Sequence, residues 1–382
     1  MIEFKRNILF LGTTDYGFEL SSSDKNKFKE LNTKLNVYVF TYGLEEKEID
    51  FQIVKIKYLK RPKTIIFKYL KFYFLSIFKL NKFISDNDIS IVSAKEPISA
   101  LSPVLIKLFL NKDLKIIIEN HGNFKHQLIQ QRDSFFISKS LFIIELITKF
   151  VFKHADILRG VNKQNSEYFK KYNNNIQIFN FPAWIDNSIF KMSKDNTRKD
   201  VLFVGNIIKR KGLLFLIESI IPFLKQNKNV IFRIVGKKEN KKYFLELKEL
   251  IKNSDLDDRI IFFDALDQHQ IAKLMNNSKV LVMGSTSEGL PRVLIESGFC
   301  GLPSIATNID GIFDPFFTIG GTLVFDIDSN NQFIQNLEKV YFDNDLWSSQ
   351  SKLSYNLSNS ISGNGKFVDN WVKMIEVMDL SI

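Results

Sequence analysis

Short apolar runs rich in Ile, Val and Phe recur along the whole chain, separated by stretches long enough to form a helix. A run of about four to six such residues fits a strand buried on both faces. Two parallel strands need a long crossover between them, usually a helix. The expected strands are Ile8–Leu11, Val37–Phe40, Ile53–Ile56, Ile89–Val92, Lys115–Ile118, Ile157–Gly160 and Ile176–Phe179. The rhythm then restarts with Val201–Val204, Val230–Val235, Ile260–Phe263, Val280–Met283, Ser304–Ala306 and Thr322–Phe325. Two such series predict an α/β chain of two doubly wound, Rossmann-like domains. The length agrees, since 382 residues exceed one ordinary core and suit two.

The break is expected near residues 180–200, where the polar, aperiodic run Lys191–Asp200 reads as a linker. The domains are accordingly 1–186 and 187–364. No strong strand follows Phe325. Gln332–Tyr341 and Gly365–Met378 read as helices, the second with Phe367, Trp371, Met374, Ile375 and Met378 on one face.

Charge is divided unevenly between these halves. Residues 1–186 hold 29 Lys/Arg against 19 Asp/Glu, a net +10, and the remainder holds 24 against 23, a net +1. A basic half suits an acidic partner, such as a phosphorylated substrate or an anionic membrane. A solvated basic surface is the competing account. Lys60–Ile84 concentrates the charge, with seven Lys/Arg and no acid. Lys68, Lys71, Lys79 and Lys82 share a stripe of one helix, with Phe67, Phe74, Ile77 and Phe78 elsewhere on the wheel. A basic amphipathic helix of this kind lies in an anionic interface. Nucleic acid is not expected, because no recognised nucleic-acid motif accompanies the charge.

Other classes fall away. The single cysteine, Cys300, excludes a disulfide framework and a Cys-cluster zinc site, and four histidines do not support a His-rich metal centre. The apolar run after Asn7 ends at Gly12, far short of a signal-peptide core. No stretch offers the ~18 apolar residues of a membrane span. The nearest, Ser140–Phe152, is broken by Glu145 and Lys149. A cytoplasmic protein, or one peripheral on the cytoplasmic face of a membrane, is expected. Asp86-Asn87-Asp88, Asp326-Ile327-Asp328 and Asp343-Asn344-Asp345 have a D-x-D pattern, but each falls at an element end, where Asp and Asn favour turns and caps. No metal or other cofactor is expected.

Ser285–Thr307, STSEGLPRVLIESGFCGLPSIAT, is the most informative segment. It reads as loop, helix and turn between two strands. Pro291 suits the first helical turn, and Gly301 and Pro303 end the helix. Backbone amides at Gly289, Leu290 and Arg292 fall at the carboxyl end of a parallel strand and the start of a helix, a place that favours a phosphate or diphosphate. Glu288 and Glu296 flank them. A carboxylate accepts two hydroxyl hydrogen bonds, the contact that a sugar diol offers. Solvated helix charges are the alternative for an isolated pair. Gly12 ends the first strand and permits close backbone approach to a ligand. There is no G-x-G-x-x-G, so a nicotinamide or flavin site is poorly supported.

Glu288-Gly289-Leu290-Pro291 through Glu296 resembles the E-x7-E signature of the family 4 retaining glycosyltransferases, within the glycosyl transferases group 1 of GT-B fold. Val204-Gly205 followed by Lys209-Arg210-Lys211-Gly212 is similar to that family's first donor-domain strand and basic loop. Asn180, Pro182, Asp186 and Phe190 resemble its interdomain segment. Asp310-Gly311 and Asp314 resemble a later element with Asp in place of Glu. Glu119-Asn120-His121-Gly122 resembles its His-Gly after an amino-domain strand.

The resemblance implies two domains facing across a cleft, a nucleotide-sugar donor on the carboxy-terminal domain and a saccharide or lipid-linked acceptor on the amino-terminal one. It also implies that the last helix, within residues 365–382, returns to the first domain. Glu296 would hold the nucleotide ribose, Glu288 a donor-sugar hydroxyl, and Lys211 with Arg210 the diphosphate. Asn206 stands where the family often has Arg, beside Arg210 and Lys209. His121 would face the reacting sugar as a positioning group rather than a metal ligand. His126, His154 and His269 match no motif. A sugar-nucleotide epimerase of the same fold, or a non-catalytic nucleotide-sugar or glycan-binding protein, would need the same donor contacts.

Overall fold

The computed structural model describes residues 5–14, 16–62, 76–121, 137–193, 198–312, 316 and 320–380. They divide into two compact units, residues 1–181 with 365–382, and residues 182–364.

The sheet of the first unit has eight strands: β1 (Arg6–Leu11), β2 (Leu35–Gly43), β3 (Lys47–Asp50), β4 (Lys55–Lys60), β5 (Ile91–Ala94), β6 (Lys115–Asn120), β7 (Ile157–Gly160) and β8 (Gln177–Asn180). Their order is β3-β4-β2-β1-β5-β6-β7-β8. Every pairing is parallel except that of β3 with β4. Residues along β1 alternate between the two faces, as a pleated strand requires. Ile8 and Phe10 pack with Phe28 and the aromatic face of the last helix, Lys366–Asp379, whereas Leu9 and Leu11 pack with Leu80, Phe83 and Ile84 of helix Ile77–Asp86. Phe10 and Trp371 meet edge to face with centroids 5.1 Å apart.

The second unit has six strands: β9 (Asp200–Val204), β10 (Phe232–Val235), β11 (Ile260–Phe263), β12 (Ser278–Met283), β13 (Ser304–Thr307) and β14 (Thr322–Phe325). They are parallel throughout, in the order β11-β10-β9-β12-β13-β14. In both sheets the chain first winds outward one way and then returns to the centre to wind the other way. The reversal lies between β1 and β5 in one unit and between β9 and β12 in the other. Ligands of open α/β sheets bind at such reversals, beyond the carboxyl ends of the strands.

Two sequence expectations are corrected. The expected strand Ile53–Ile56 lies further on, as β4, and the charged segment Lys47–Asp50 adds an antiparallel strand at the sheet edge, where charged side chains discourage further pairing. Lys191–Asp200 is not a free linker in its described part. Arg198 Nη2 donates to the Cys300 carbonyl at 2.7 Å, and buried Asp200 begins β9 and accepts from Arg233 Nε at 2.7 Å. A 19-residue helix that the sequence reading did not include, Asn344–Ser362, lies between the two expected ones. Its buried positions include Ser351, Ser354, Ser358 and Ser362, so it carries no long apolar stripe. The serines let it approach helix Arg292–Phe299 closely: a Cβ on Gly298 would lie 2.1 Å from Ser358 Oγ.

The D-x-D segments are turns and caps. Asp343 accepts from Leu346 N at 2.9 Å at the start of helix Asn344–Ser362, and Asn87 closes helix Ile77–Asp86. Asp328 has φ 64° in a turn. No helix among the described residues is long and apolar enough to cross a membrane.

Candidate functional site

The reversal point of the second unit is built from two loops. One follows β9: Gly205 and Asn206 lead into a short turn, Lys209–Lys211, that ends at Gly212. Gly212 has φ 64°, and a Cβ there would lie 1.8 Å from the Gly284 carbonyl oxygen, so the position demands glycine on both conformational and steric grounds. The other loop follows β12 and runs from Gly284 to Pro291. The two are tied by Thr286 N donating to the Arg210 carbonyl at 2.9 Å.

This junction brings three expected residues together. Lys211 Nζ donates to Glu288 Oε1 at 2.6 Å and Arg210 Nη1 donates to the same oxygen at 3.1 Å. Arg210 also donates to the Ser287 carbonyl. Glu288 is 11% exposed, Lys211 16% and Arg210 28%, so all three are largely covered and Arg210 is the most open. Asp310-Gly311 packs on the same loop, where a Cβ on Gly311 would lie 2.4 Å from the Glu288 carbonyl oxygen. Asp314 lies outside the described residues.

Glu296 lies one turn into helix Arg292–Phe299, with Pro291 as the N-cap and no side chain capping the first amides. Gly289 and Leu290 lead into that cap, and Leu290 leans on the core. Glu296 Oε1 accepts from Arg292 Nη2 at 3.3 Å, an i,i+4 pair in which Arg292 is half-exposed. Burial raises the Glu296 pKa above its ordinary value, and Arg292 only partly opposes this. Asn206 is placed differently. It is exposed, and its Nδ2 donates to Glu239 Oε1 at 2.9 Å.

The reversal point of the first unit carries Gly12 after β1 and Lys95 after β5, with His121 after β6. A Cβ on Gly12 would lie 3.0 Å from Lys95 Cβ, and Lys95 Nζ donates to Thr14 Oγ1 at 2.7 Å. His121 Nε2 lies 3.1 Å from Glu119 Oε2. That same oxygen accepts from Arg159 Nη1 at 2.7 Å, and Glu119 Oε1 accepts from Ser93 Oγ at 2.8 Å. Burial lowers the His121 pKa below its ordinary value, with Arg159 and Lys95 adding to the effect and Glu119 opposing it. Burial alone would raise the Glu119 pKa. Arg159, His121 and Ser93 together outweigh it, and the carboxyl is held well below its ordinary range. Sequence reasoning assigned no role to Arg159, Ser93 or Lys95. The available signal was their place at or just past the ends of β5 and β7, the strands on either side of β6. Gly122 and His126 lie outside the described residues.

No cluster of three or more His, Cys, Asp or Glu able to hold a metal occurs among the described residues.

Residues 185–359 match the family model of the glycosyl transferases group 1. The second unit belongs to that family. The chain is 28% identical over 268 residues to an uncharacterised glycosyltransferase of Methanocaldococcus jannaschii, covering 65% of this chain and 62% of that protein. It is 32% identical over 151 residues to the O-antigen biosynthesis glycosyltransferase WclY of Escherichia coli, covering 37% and 40%. The matches therefore span less than two thirds of these relatives. Sucrose-phosphate synthase from Thermosynechococcus elongatus superposes with a TM-score of 0.77 at 15% identity, covering 99% of this chain and 100% of that one. Anabaena HepE, solved in complex with UDP and glucose, superposes with a TM-score of 0.69 at 15% identity, covering 97% and 99%. The fold is thus the GT-B class, two Rossmann-like units with parallel sheets.

Proposed function

We propose that the protein is a retaining glycosyltransferase that moves a sugar from a nucleotide-diphosphate sugar to a saccharide or lipid-linked acceptor in polysaccharide or glycoconjugate biosynthesis. The observation that carries this reading is the convergence of Lys211 and Arg210 on Glu288 at the reversal point of the second unit, next to Glu296 in the first turns of a helix. A nucleoside diphosphate gains negative charge as it leaves, and fixed cations stabilise that charge most where water is excluded. Lys211 and Arg210 supply it. The first-turn amides of helix Arg292–Phe299 add their dipole. Glu296 accepts from the ribose hydroxyls and Glu288 from a hydroxyl of the transferred sugar. The complexes of Anabaena HepE with UDP and glucose, and with UDP-glucose, support a nucleotide-sugar donor. The leaving phosphate takes the acceptor proton, and no protein nucleophile is required. The first unit, with His121 and Gly12, serves the acceptor and the reacting sugar.

Thermal-shift screening against UDP-, GDP- and other activated sugars tests the donor site, followed by NMR of the product anomer. Stabilisation by one donor and an axial-to-axial outcome are expected. Isomerised free nucleotide sugar formed without acceptor, or no stabilisation by any donor, would sink the reading.

The acceptor side is proposed to work on an anionic membrane. Lys68 and Lys71 of the basic stripe lie outside the described residues. Of the rest, Lys82 is exposed and Lys79 is paired with Glu46 at 2.7 Å. Helices Ile77–Asp86, Leu101–Phe109 and Ile137–His154 are neighbours in the same layer, and Phe78, Phe109, Phe142, Ile143 and Leu146 on them are all more than half exposed. Large apolar side chains beside lysines suit a lipid interface. Flotation with anionic vesicles tests this. Binding that survives both Phe142→Asp and neutralisation of Lys79 and Lys82 would count against it.

A further inference from the structure

The end of β6 contains a polar assembly that the transfer chemistry above leaves unexplained. Glu119 and His121 are two residues apart and so project from the same face of the strand line. Ile117, two residues earlier, is buried in the core on that face. Below His121, therefore, the sheet changes from an apolar core to a carboxylate that is itself buried, 7% exposed. Glu119 is fixed from three sides. Ser93 Oγ donates to one oxygen at 2.8 Å, and Arg159 Nη1 donates to the other at 2.7 Å. The His121 ring completes the set at 3.1 Å.

Arg159 is fixed in turn. It is 1% exposed, Nη2 donates to the Phe181 carbonyl at 3.0 Å, and the guanidinium stacks 4.4 Å from the centroid of the Phe181 ring. Phe367 and Trp371 of the last helix close over it, each ring 6.0 Å away. A guanidinium held in this way presents its charge in one place, and the carboxylate it binds has no freedom to turn.

An ionised carboxylate only accepts hydrogen bonds, so the ring nitrogen facing it must carry a hydrogen. In a neutral imidazole the other nitrogen is then an acceptor. The His121 side chain is 32% exposed, which leaves part of the ring open to a ligand. Resting on the glycosyltransferase reading, we propose that Glu119, clamped by Arg159, is a positioning residue that holds His121 as its Nε2–H tautomer and leaves Nδ1 as an acceptor for a sugar hydroxyl. The lowered His121 pKa agrees, because a protonated ring would lose that acceptor. A polar staple serving only stability would need neither a particular tautomer nor an open second nitrogen.

The test is ring ¹⁵N NMR of the full chain labelled at histidine, with the His121 signals identified by their loss in His121→Gln. At neutral pH the wild-type ring should show a protonated Nε2 and an unprotonated Nδ1. Glu119→Gln is the conservative control: its carbonyl oxygen stays against Arg159, which only donates, so the ring keeps the Nε2–H tautomer. In Glu119→Leu combined with Arg159→Met, which removes the acceptor without stranding a buried cation, the two tautomers should mix. Turnover of that double variant should fall roughly tenfold, with KM changed less than kcat. A wild-type ring protonated at Nδ1, or an unchanged tautomer in the folded double variant, would overturn the proposal. If the double variant does not fold, the wild-type spectrum alone decides between these outcomes. Failure of the transfer reading is distinguishable, since it appears as no turnover of any activated sugar by wild-type protein whose His121 spectrum keeps the expected form.

Discussion

The two units have the same kind of sheet and the same kind of reversal point, yet they place their charges in opposite ways. In the first, an arginine and a glutamate are buried beneath the strand ends, and a partly exposed histidine faces the carboxylate. In the second, Glu288 is the most covered and the cations are less so, Arg210 at 28% exposure against 1% for Arg159. Buried charges with every partner inside the protein fix geometry, because separating them leaves an unsolvated ion. Cations that are less covered can exchange one anionic partner for another. On the proposed function, the difference separates a unit that orients a ligand from one that takes up changing negative charge.

The comparison breaks most readily at the buried pair. Glu119→Ala should cost about 3–5 kcal/mol of stability, because it strands Arg159 in the core. Chemical denaturation measures it, and a loss under about 1 kcal/mol would mean that the pair is not the anchor its geometry indicates. The pH dependence follows from the lowered pKa. A carboxyl whose folded-state pKa is depressed contributes stability above its unfolded value, near 4.5, and loses it as pH falls from there toward the folded value. Acidification below about pH 4.5 should therefore weaken the wild type more steeply than Glu119→Gln.

Lys211→Ala should act on turnover instead. A drop of roughly 10²–10³-fold is expected for the loss of a fixed group that meets developing charge, with the melting temperature little changed. Steady-state kinetics with the donor found by screening gives the number. Unchanged turnover would remove Lys211 from the site.

Much of this was legible in the chain. The two strand series and the segment Glu288–Glu296 follow local rules, namely burial on both faces and turn chemistry at Pro291 and Gly301, and such rules act over a few residues. What escaped depends on distant partners. Helix Asn344–Ser362 buries serines against Gly298, so its packing signal is smallness rather than hydrophobicity. The strand Lys47–Asp50 is charged because it lies at an edge. Arg159 sits inside a strand and is held by Glu119, 40 residues away, and by aromatic rings from the last helix. Nothing in its neighbours along the chain announces a buried arginine.

Glu296→Gln is expected to weaken donor binding by roughly ten- to a hundredfold, the range for hydrogen bonds to a charged acceptor. Because the Glu296 pKa is raised, the carboxylate forms only as pH climbs through that raised value. Wild-type donor affinity should therefore strengthen with rising pH across that interval, and the Gln variant should lack this dependence. Isothermal titration at several pH values checks both. Identical pH profiles would place the ribose elsewhere.

The smallest effect bears most directly on the contrast between the units. Lys211 and Arg210 both donate to Glu288, so a diphosphate must compete with that carboxylate for them. Glu288→Gln removes the competitor and leaves the cations. With the competing carboxylate charge gone, nucleoside diphosphate should bind equally well or tighter. Transfer should nonetheless fall, since the sugar hydroxyl loses its charged acceptor. Titration with UDP and GDP, compared with turnover of the matching sugar, separates the two roles. If diphosphate affinity instead falls with turnover, Glu288 is orienting the cations, and the second unit would be built on the same plan as the first, with a buried acid fixing the group above it.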